Sequence, residues 1–240
     1  KGSELAKQLA KDVVWVPEVD PGYILSRRLW EALKDFKKAT GKDCPRAVLM
    51  QNHGLVVCGD TADEVRQHTD WLVKTLRKML GAAGKTPGFG AVAKADAPVA
   101  RNLITVIGPA LRGLLAAGEN LKVVTFSDAP EVMELVGGAE GRTVATAGPL
   151  TPDQIVYCKS FPLWFEPAAE ATPEQIVEQL RKAVDDHTKK IGSAPQVILV
   201  KGLGLFAAGD DFAGADTVRL VYTDVIKVMA GARRAGGVRQ

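Results

Sequence analysis

Length, composition and charge bound the class of protein. The chain has 240 residues, 46% of them hydrophobic, so it can bury one large core or two modest cores. Its 31 basic and 28 acidic residues are scattered and leave a formal charge of +3, which argues against nucleic acid as a partner. No apolar run approaches the roughly 18 residues of a membrane-spanning helix, so we expect no membrane partner and a cytoplasmic location.

The predicted elements alternate between helix and strand along the whole chain. Thr61 lies three residues before Glu64, a capping-box spacing that predicts the start of a helix. Thr172, Pro173 and Gln175 predict a second helix start in the same way. In chain order, helices are expected at residues 3–10, 26–40, 62–80, 101–116, 129–136 and 172–191, and strands at 13–16, 47–51, 55–58, 122–126 and 156–159.

The chain divides into two α/β regions separated by a linker. Residues 81–98 are rich in Gly, Ala, Lys and Pro and have no apolar period. We therefore predict one unit over residues 1–84, a linker over 85–98 and a second unit over 99–240. The first residues already have the pattern of a helix interior and no initiator methionine precedes them, so we expect further residues upstream of Lys1.

Three cysteines, Cys44, Cys58 and Cys158, lie far apart along the chain. They have no CxxC spacing of the kind that zinc or redox motifs use, and their number is odd. We interpret all three as free thiols, which suits a reducing compartment.

An internal repeat is the most informative feature of the sequence. Residues 45–82 align without a gap on residues 195–232, and most strand positions keep their apolar character. A duplicated strand, turn, strand and helix explains this pattern. The positions identical to their partners 150 residues later are Pro45, Leu49, Gly54, Leu55, Gly59, Asp60, Met79, Gly81 and Ala82.

The turn between the two repeated strands differs between the copies. The first copy has Gln51-Asn52-His53, and the second has Lys201-Gly202-Leu203. An imidazole on a strand-end loop can bind a metal through one nitrogen while an acceptor holds the other, and leucine can do neither. If His53 served only the fold, we would expect the second copy to keep a polar residue. A single histidine in a turn is also often structural or surface-exposed, so that alternative stays open.

Residues 49–64, with His53 at their centre, resemble the class II aldolase/adducin signature around the third zinc-binding histidine. Residues 13–17 and 21–23 resemble the family segment before that motif. In that family a His-x-His pair and a later histidine bind a divalent metal, usually zinc with manganese as an alternative. The metal polarises the carbonyl of a ketose phosphate and stabilises the product of C–C cleavage. The resemblance makes His53 the later histidine.

The resemblance extends over most of the chain. The aldolase portion of fused rhamnulose-1-phosphate aldolase/alcohol dehydrogenase proteins is similar, with a second α/β region after the aldolase unit. Segments 128–132, 148–153, 161–164 and 202–206 resemble parts of that second region. The implied fold is three-layer α/β/α with a mainly antiparallel or mixed sheet, and the implied assembly is a homo-oligomer, specifically a tetramer.

The same resemblance places the other metal ligands and the acidic general base upstream of Lys1, so the catalytic residues of this chain are unknown. At Glu18 the fused proteins tend to have an aromatic residue, which departs from the pattern. Residues 1–84 would then be the C-terminal part of an aldolase-like unit, and residues 99–240 a degenerate second unit.

Other candidate residues have ordinary explanations. Residues 202–207 satisfy a loose GxGxxA dinucleotide fingerprint, but an apolar run follows where the fingerprint needs a helix. His68 and His187 are interpreted as solvated or dipole-stabilising residues rather than ligands. Lys201 could imitate a Schiff-base lysine, and a surface lysine is the preferred interpretation.

Two functional hypotheses follow, from different classes. The first is a metal-dependent lyase that cleaves a phosphorylated ketose such as rhamnulose or fuculose 1-phosphate. The second is a catalytically inactive, adducin-like scaffold or interaction module, because one fold can serve without catalysis.

Overall fold

The computed structural model describes residues 2–81, 88–90, 97–116, 118 and 120–234. The chain forms two compact units, Lys1–Gly84 and Lys85–Gln240. Most of the predicted linker, at 85–87 and 91–96, lies outside the described residues. Within the described part of the chain, no helix is both long and apolar enough to cross a membrane.

The first unit contains a mixed three-stranded sheet with the order β1-β2-β3. Strand β2 pairs in parallel with β1 and antiparallel with β3. The tight connection from β2 to β3 therefore forms a hairpin. The elements are α1 (Gly2–Gln8), β1 (Val13–Val16), α2 (Tyr23–Thr40), β2 (Ala47–Met50), β3 (Gly54–Val57) and α3 (Ala62–Gly81).

Helices cover both faces of this small sheet. Alternate strand residues point to opposite faces, and Val16 and Val48 pack with Phe36 of α2 on one face. On the other face Ala47 packs with Leu72 of α3. The first unit is therefore a three-layer α/β/α arrangement.

The predicted helix start at Thr61 is present, with one difference. The Glu64 N–H donates to the Thr61 hydroxyl at 3.2 Å. The Glu64 carboxylate accepts from the N–H of Asp60 at 2.8 Å instead of the N–H of Thr61, so the reciprocal bond is shifted by one residue.

The second unit contains a mixed four-stranded sheet with the order β4-β7-β6-β5. Strand β6 pairs in parallel with β5, and β7 pairs antiparallel with both β6 and β4. The elements are α4 (Ala97–Leu114), β4 (Val123–Ser127), α5 (Pro130–Gly137), α6 (Gly141–Ala145), a π-helical turn (Gln154–Cys158), β5 (Leu163–Phe165), α7 (Pro173–Ile191), β6 (Val197–Val200), β7 (Gly204–Gly209) and α8 (Phe212–Arg234).

Both faces of the second sheet are also buried. Ile198 and Phe206 pack against α4 and α7, whereas Leu199 and Leu205 pack against α5, α6 and α8. At the start of α7 the predicted capping box is complete, because Thr172 and Gln175 bond reciprocally. The predicted α/β class and mixed, helix-flanked sheets are confirmed.

The strand predicted at residues 156–159 is wrong. This stretch belongs to the π-helical turn Gln154–Cys158, and Val156 is 70% exposed. The buried Gln154 side chain holds the turn, because its Oε1 accepts from Leu150 N at 2.9 Å and its Nε2 donates to Ser160 O at 3.3 Å. An apolar run forms a strand only where it can pair with the edge of a sheet. Here β5, which the sequence did not predict, pairs with β6 instead.

Phe89, inside the predicted linker, packs within the second unit. Its side chain is fully buried beside α5, α6 and α8. The Glu140 N–H donates to Phe89 O at 3.0 Å, and Arg233 Nε donates to Gly88 O at 2.6 Å. Residues 88–90 are therefore anchored to the second unit.

Candidate functional site

The turn at residues 51–53 joins β2 to β3 and is fixed by its backbone. Gln51 N–H donates to Val16 O at 2.9 Å, and His53 N–H donates to Met50 O at 3.2 Å. Asn52 adopts a left-handed φ of 55°, which Asn tolerates better than most residues. Its side-chain amide donates to Glu18 Oε2 at 2.8 Å. The turn is therefore a defined platform at the carboxyl end of β2.

The contact between Glu18 and Asn52 was not predicted, although Glu18 had been singled out as a departure. Residues after β1 and after β2 lie side by side because these strands are parallel. Only the strand pairing, which the sequence pattern does not determine, could have indicated this contact.

His53 is exposed at the end of this platform. Among the residues that the structure describes, none hydrogen-bonds to its ring, so the imidazole is available to a ligand from outside them. The same described part of the chain contains no cluster of three or more His, Cys, Asp or Glu residues that could hold a metal ion. His53 therefore fits as one ligand of a metal and cannot by itself form a site.

The turn at residues 201–203 has the same backbone pattern 150 residues later. Lys201 N–H donates to Phe165 O at 3.0 Å, and Leu203 N–H donates to Val200 O at 3.0 Å. Gly202 has a φ of 69° at the position of Asn52. The two hairpins correspond residue by residue, and their descent from a duplication stays a prediction.

The turn at residues 201–203 packs against other parts of the second unit. Gly202 N–H donates to Val136 O at the end of α5 at 2.9 Å, and Leu203 is 2% exposed. The Lys201 ammonium forms an ion pair with Glu166. Lys201 is exposed, in agreement with its interpretation as a surface lysine. This turn offers no metal ligand in place of His53.

The outer edges of the two hairpins also differ. Strand β4 pairs with residues 205–209 of β7, and Ser127 lies opposite Leu205. Among the described residues β3 pairs only with β2. As a result Leu55 is 52% exposed, whereas its counterpart Leu205 is fully buried.

His68 has a structural contact in the first unit. Its Nδ1 lies 2.6 Å from the carbonyl oxygen of Cys58. A carbonyl only accepts, so we assign the proton to Nδ1. His68 thus links α3 to the end of β3, and within the described residues it belongs to no cluster of three or more metal-ligating side chains.

His187 lies on α7 and is partly buried. Burial, followed by the charge of Lys190, lowers the pKa of His187. Residues 204–209 form strand β7. The dinucleotide fingerprint requires a helix at that point, so residues 202–207 do not have its geometry.

Comparison with known protein families covers most of the chain. The family model described as "Class II Aldolase and Adducin N-terminal domain" matches residues 2–80. The model described as "Aldolase class II, second domain" matches residues 102–191. The chain belongs to the class II aldolase and adducin family. The turn at residues 51–53 lies inside the first matched segment, and the turn at residues 201–203 follows the second matched segment.

A longer bacterial protein is similar to nearly all of the chain. The protein named uncharacterized oxidoreductase YuxG from Bacillus subtilis (strain 168) is 26% identical over 254 residues. The alignment covers 96% of this chain and 36% of the relative, so the chain spans about a third of the relative's length. No solved structure matches the chain.

Class II aldolases generally use a divalent metal, and the residues described here meet that requirement in part. An exposed imidazole on a fixed strand-end turn is a suitable nitrogen ligand for zinc or manganese. Zinc in catalytic sites commonly has three protein ligands. Two ligands beyond His53 would therefore have to come from residues outside the described part of the chain.

Proposed function

We propose that the first unit is part of a metal-dependent class II aldolase-type lyase, in which His53 is one of the metal ligands. The observation that carries the proposal is the exposed His53 ring on a hydrogen-bonded turn inside the segment that the aldolase family model matches. The substrate we propose is a phosphorylated ketose such as rhamnulose or fuculose 1-phosphate. A bound divalent metal would supply Lewis-acid polarisation of the ketose carbonyl.

The other residues of the turn would hold the backbone of His53 in one position. The Gln51 N–H bond ties the turn to β1, and the Asn52 side chain ties it to Glu18. A preorganised ligand loses less conformational freedom when the metal binds. In this proposal Glu18 and Asn52 are positioning residues, and the acidic general base lies among residues upstream of Lys1.

The second unit suggests where the other ligands would enter. There, the end of β4 lies directly beside the turn, since the Ser127 carbonyl packs against Gly204. An antiparallel strand on the outer edge of β3 would bring its last residues beside His53 in the same way. We propose that upstream residues supply such a strand and the remaining ligands.

The name of the Bacillus subtilis relative does not decide between a lyase activity and an oxidoreductase activity. That name, an uncharacterized oxidoreductase, belongs to a protein in which the matched region is about a third of the length. A redox activity of the remaining part would be compatible with a lyase activity of this region. The cytoplasmic location and the homo-oligomeric assembly are further parts of the proposal.

The test compares metal content and activity in full-length protein. His53→Ala should lose most of its zinc or manganese by mass spectrometry of the metals, together with retro-aldol cleavage of ketose 1-phosphates. His187→Asn, which alters a histidine of the second unit, is the matched control and should keep both. Full metal occupancy in His53→Ala would exclude the proposed ligand role. Unmodified protein that folds and assembles without metal and has no lyase activity would favour the adducin-like scaffold.

A further inference from the structure

Residues 88–90, the anchor segment, are fastened to the second unit by one aromatic side chain. Phe89 is fully buried in the cluster that joins α5, α6 and α8. An aromatic side chain brings a large apolar area into such a contact. The neighbouring residues on both sides, 82–87 and 91–96, lie outside the described part of the chain. The anchor segment is therefore a fixed point within the sequence that joins the two units.

The surface around the anchor segment is shaped to receive it. A Cβ at Gly138, which follows α5, would lie 2.5 Å from the Cβ of Phe89. A Cβ at Gly88 would lie 3.0 Å from the Cα of Ala230 in α8. Gly90 has a φ of 85°, which favours glycine. A larger residue at Gly88 or Gly138 would require a shift, so the segment and its site fit each other closely.

Charged side chains hold the backbone of Gly88 from two sides. Its N–H donates to the Glu134 carboxylate of α5, and its carbonyl accepts from Arg233 Nε of α8 at 2.6 Å. The Arg233 guanidinium also pairs with Glu140, whose N–H donates to Phe89 O at 3.0 Å. The anchor segment belongs to no helix or strand, so these bonds and the Phe89 side chain hold it in place.

We propose that the anchor segment is a releasable latch that sets the length of the chain between the two units. When it is docked, residues 82–87 connect Gly81 of α3 to Gly88. When it is released, residues 82–96 connect Gly81 to Ala97, where α4 begins. Linker length sets the effective concentration of two tethered units for each other. Release therefore changes that concentration without a change in either fold.

The anchor segment opens without unfolding of the second sheet. Strands β6 and β7 are buried along their whole length and pair with each other from Val197 to Ala207. Segments with few contacts open locally, at a lower free-energy cost than such core strands. Opening exposes Phe89 to solvent and breaks the bond from Arg233 to Gly88. The proposal does not depend on a metal at His53, so it can fail or succeed independently of the lyase function.

The first experiment treats the native full-length protein with chymotrypsin and follows cleavage after Phe89 by mass spectrometry. Because the buried Phe89 must leave its site to be cut, the cleavage rate reports the population of the open form. Gly88→Ala keeps Phe89 and places a Cβ against α8, so cleavage at this bond should be about tenfold faster. Arg233→Gln removes the guanidinium donor to Gly88 O and should accelerate cleavage by a smaller factor.

Gly231→Ala is the matched control for Gly88→Ala. It adds a methyl group to α8 beside Ala230, at a position where no atom of the described residues lies within 4 Å of the new Cβ. Cleavage after Phe89 should therefore keep the rate of the unmodified protein. Equal rates in Gly88→Ala and Gly231→Ala would overturn the proposal, because the contact with α8 would then not hold the segment.

Amide hydrogen exchange separates release of the anchor segment from unfolding. In Gly88→Ala the N–H of Glu140 loses its acceptor, Phe89 O, whenever the segment opens, so its exchange should also be about tenfold faster. Amides of β6 and β7 should keep their unmodified rates. An equal acceleration in β6 and β7 would mean that Phe89 leaves its site only when the whole unit unfolds, which would contradict a latch.

The length of the connection is tested by distances between spin labels. One label is placed on the exposed Cys44 and the other on Lys189→Cys, an exposed position of α7, in a Cys58→Ser background. Cys158 is buried and should stay unlabelled. Pulsed electron resonance should give a broader distance distribution in Gly88→Ala than in Gly231→Ala. Identical distributions, with faster cleavage after Phe89, would overturn the role in setting linker length.

Discussion

The turns at residues 51–53 and 201–203 have the same backbone and opposite surroundings. In each, the first N–H bonds to the end of the parallel neighbour strand, and the second residue has a left-handed φ. The first turn is exposed and carries His53, whereas the second places Leu203 in a core. A shared backbone therefore preserves the hairpin, and the environment decides which turn can bind a ligand.

Substitution of the glycines that follow the two turns should give the largest difference in stability between the two hairpins. Gly54 and Gly204 have φ values of 143° and 155°, so alanine is strained at both by about 1–3 kcal/mol. A Cβ at Gly204 would also lie 2.6 Å from the Ser127 carbonyl oxygen, whereas no atom of the described residues lies within 4 Å of one at Gly54. That overpacking should cost Gly204→Ala about 1–3 kcal/mol more.

The measurement is the loss of free energy of unfolding in urea, assigned to each hairpin by hydrogen exchange. The larger loss should fall on residues 197–209 in the Gly204 variant. Equal losses in the two variants would show that the edges of the two hairpins are equally occupied.

Truncation of the third residue of each turn should give the second-largest difference in stability between the two hairpins. Leu203→Ala removes a 2% exposed side chain and should reduce stability by about 2–5 kcal/mol. His53→Ala removes an exposed ring and should change the stability of metal-free protein by no more than about 0.5 kcal/mol. Thermal unfolding in the presence of a chelator measures both. A large loss in His53→Ala without metal would indicate a structural histidine.

Exchange of the left-handed residues should have a smaller effect. Asn52→Ala places a Cβ-bearing residue without a local polar group at a φ of 55°, which should cost about 1–2 kcal/mol. Asn52→Gly relieves that strain and loses the exposed bond to Glu18, so it should stay within about 0.5 kcal/mol of the unmodified protein. Urea unfolding of both variants tests this, and an equally destabilised Asn52→Gly would mean that the Glu18 bond dominates.

The pH dependence of the second unit should give the smallest effect. The pKa of His187 is lowered by burial and then by Lys190, so the unfolded chain binds a proton that the folded chain resists. Stability should therefore fall as the pH drops below the ordinary value of 6.5 toward the lowered pKa. His187→Asn should flatten this part of the curve in urea unfolding at pH 5 to 7. An unchanged dependence of stability on pH in His187→Asn would show that other groups cause it.

Local sequence rules predicted much of the fold. The capping box at Thr172 and Gln175 and the hairpin correspondence are properties of short segments, and both are present. The strand predicted at 156–159 failed because β-pairing depends on a distant edge. The three-residue β5 was missed for the same reason, since it exists through its pairing with β6.

The candidate site was predictable only in part. The motif around His53 located the turn, but exposure of the ring depends on what covers the hairpin in three dimensions. The Glu18–Asn52 bond joins residues that are separate in sequence, so it required the register of β1 and β2.

The most direct test of the account is a crystal structure of the full-length protein with diffraction data collected at the zinc and manganese absorption edges. The account predicts an anomalous peak about 2.0–2.1 Å from a ring nitrogen of His53, with further ligands from a strand on β3, and no peak at residues 201–203. A metal bound in the family site without His53, or a His53 ring buried against protein with no metal, would contradict it.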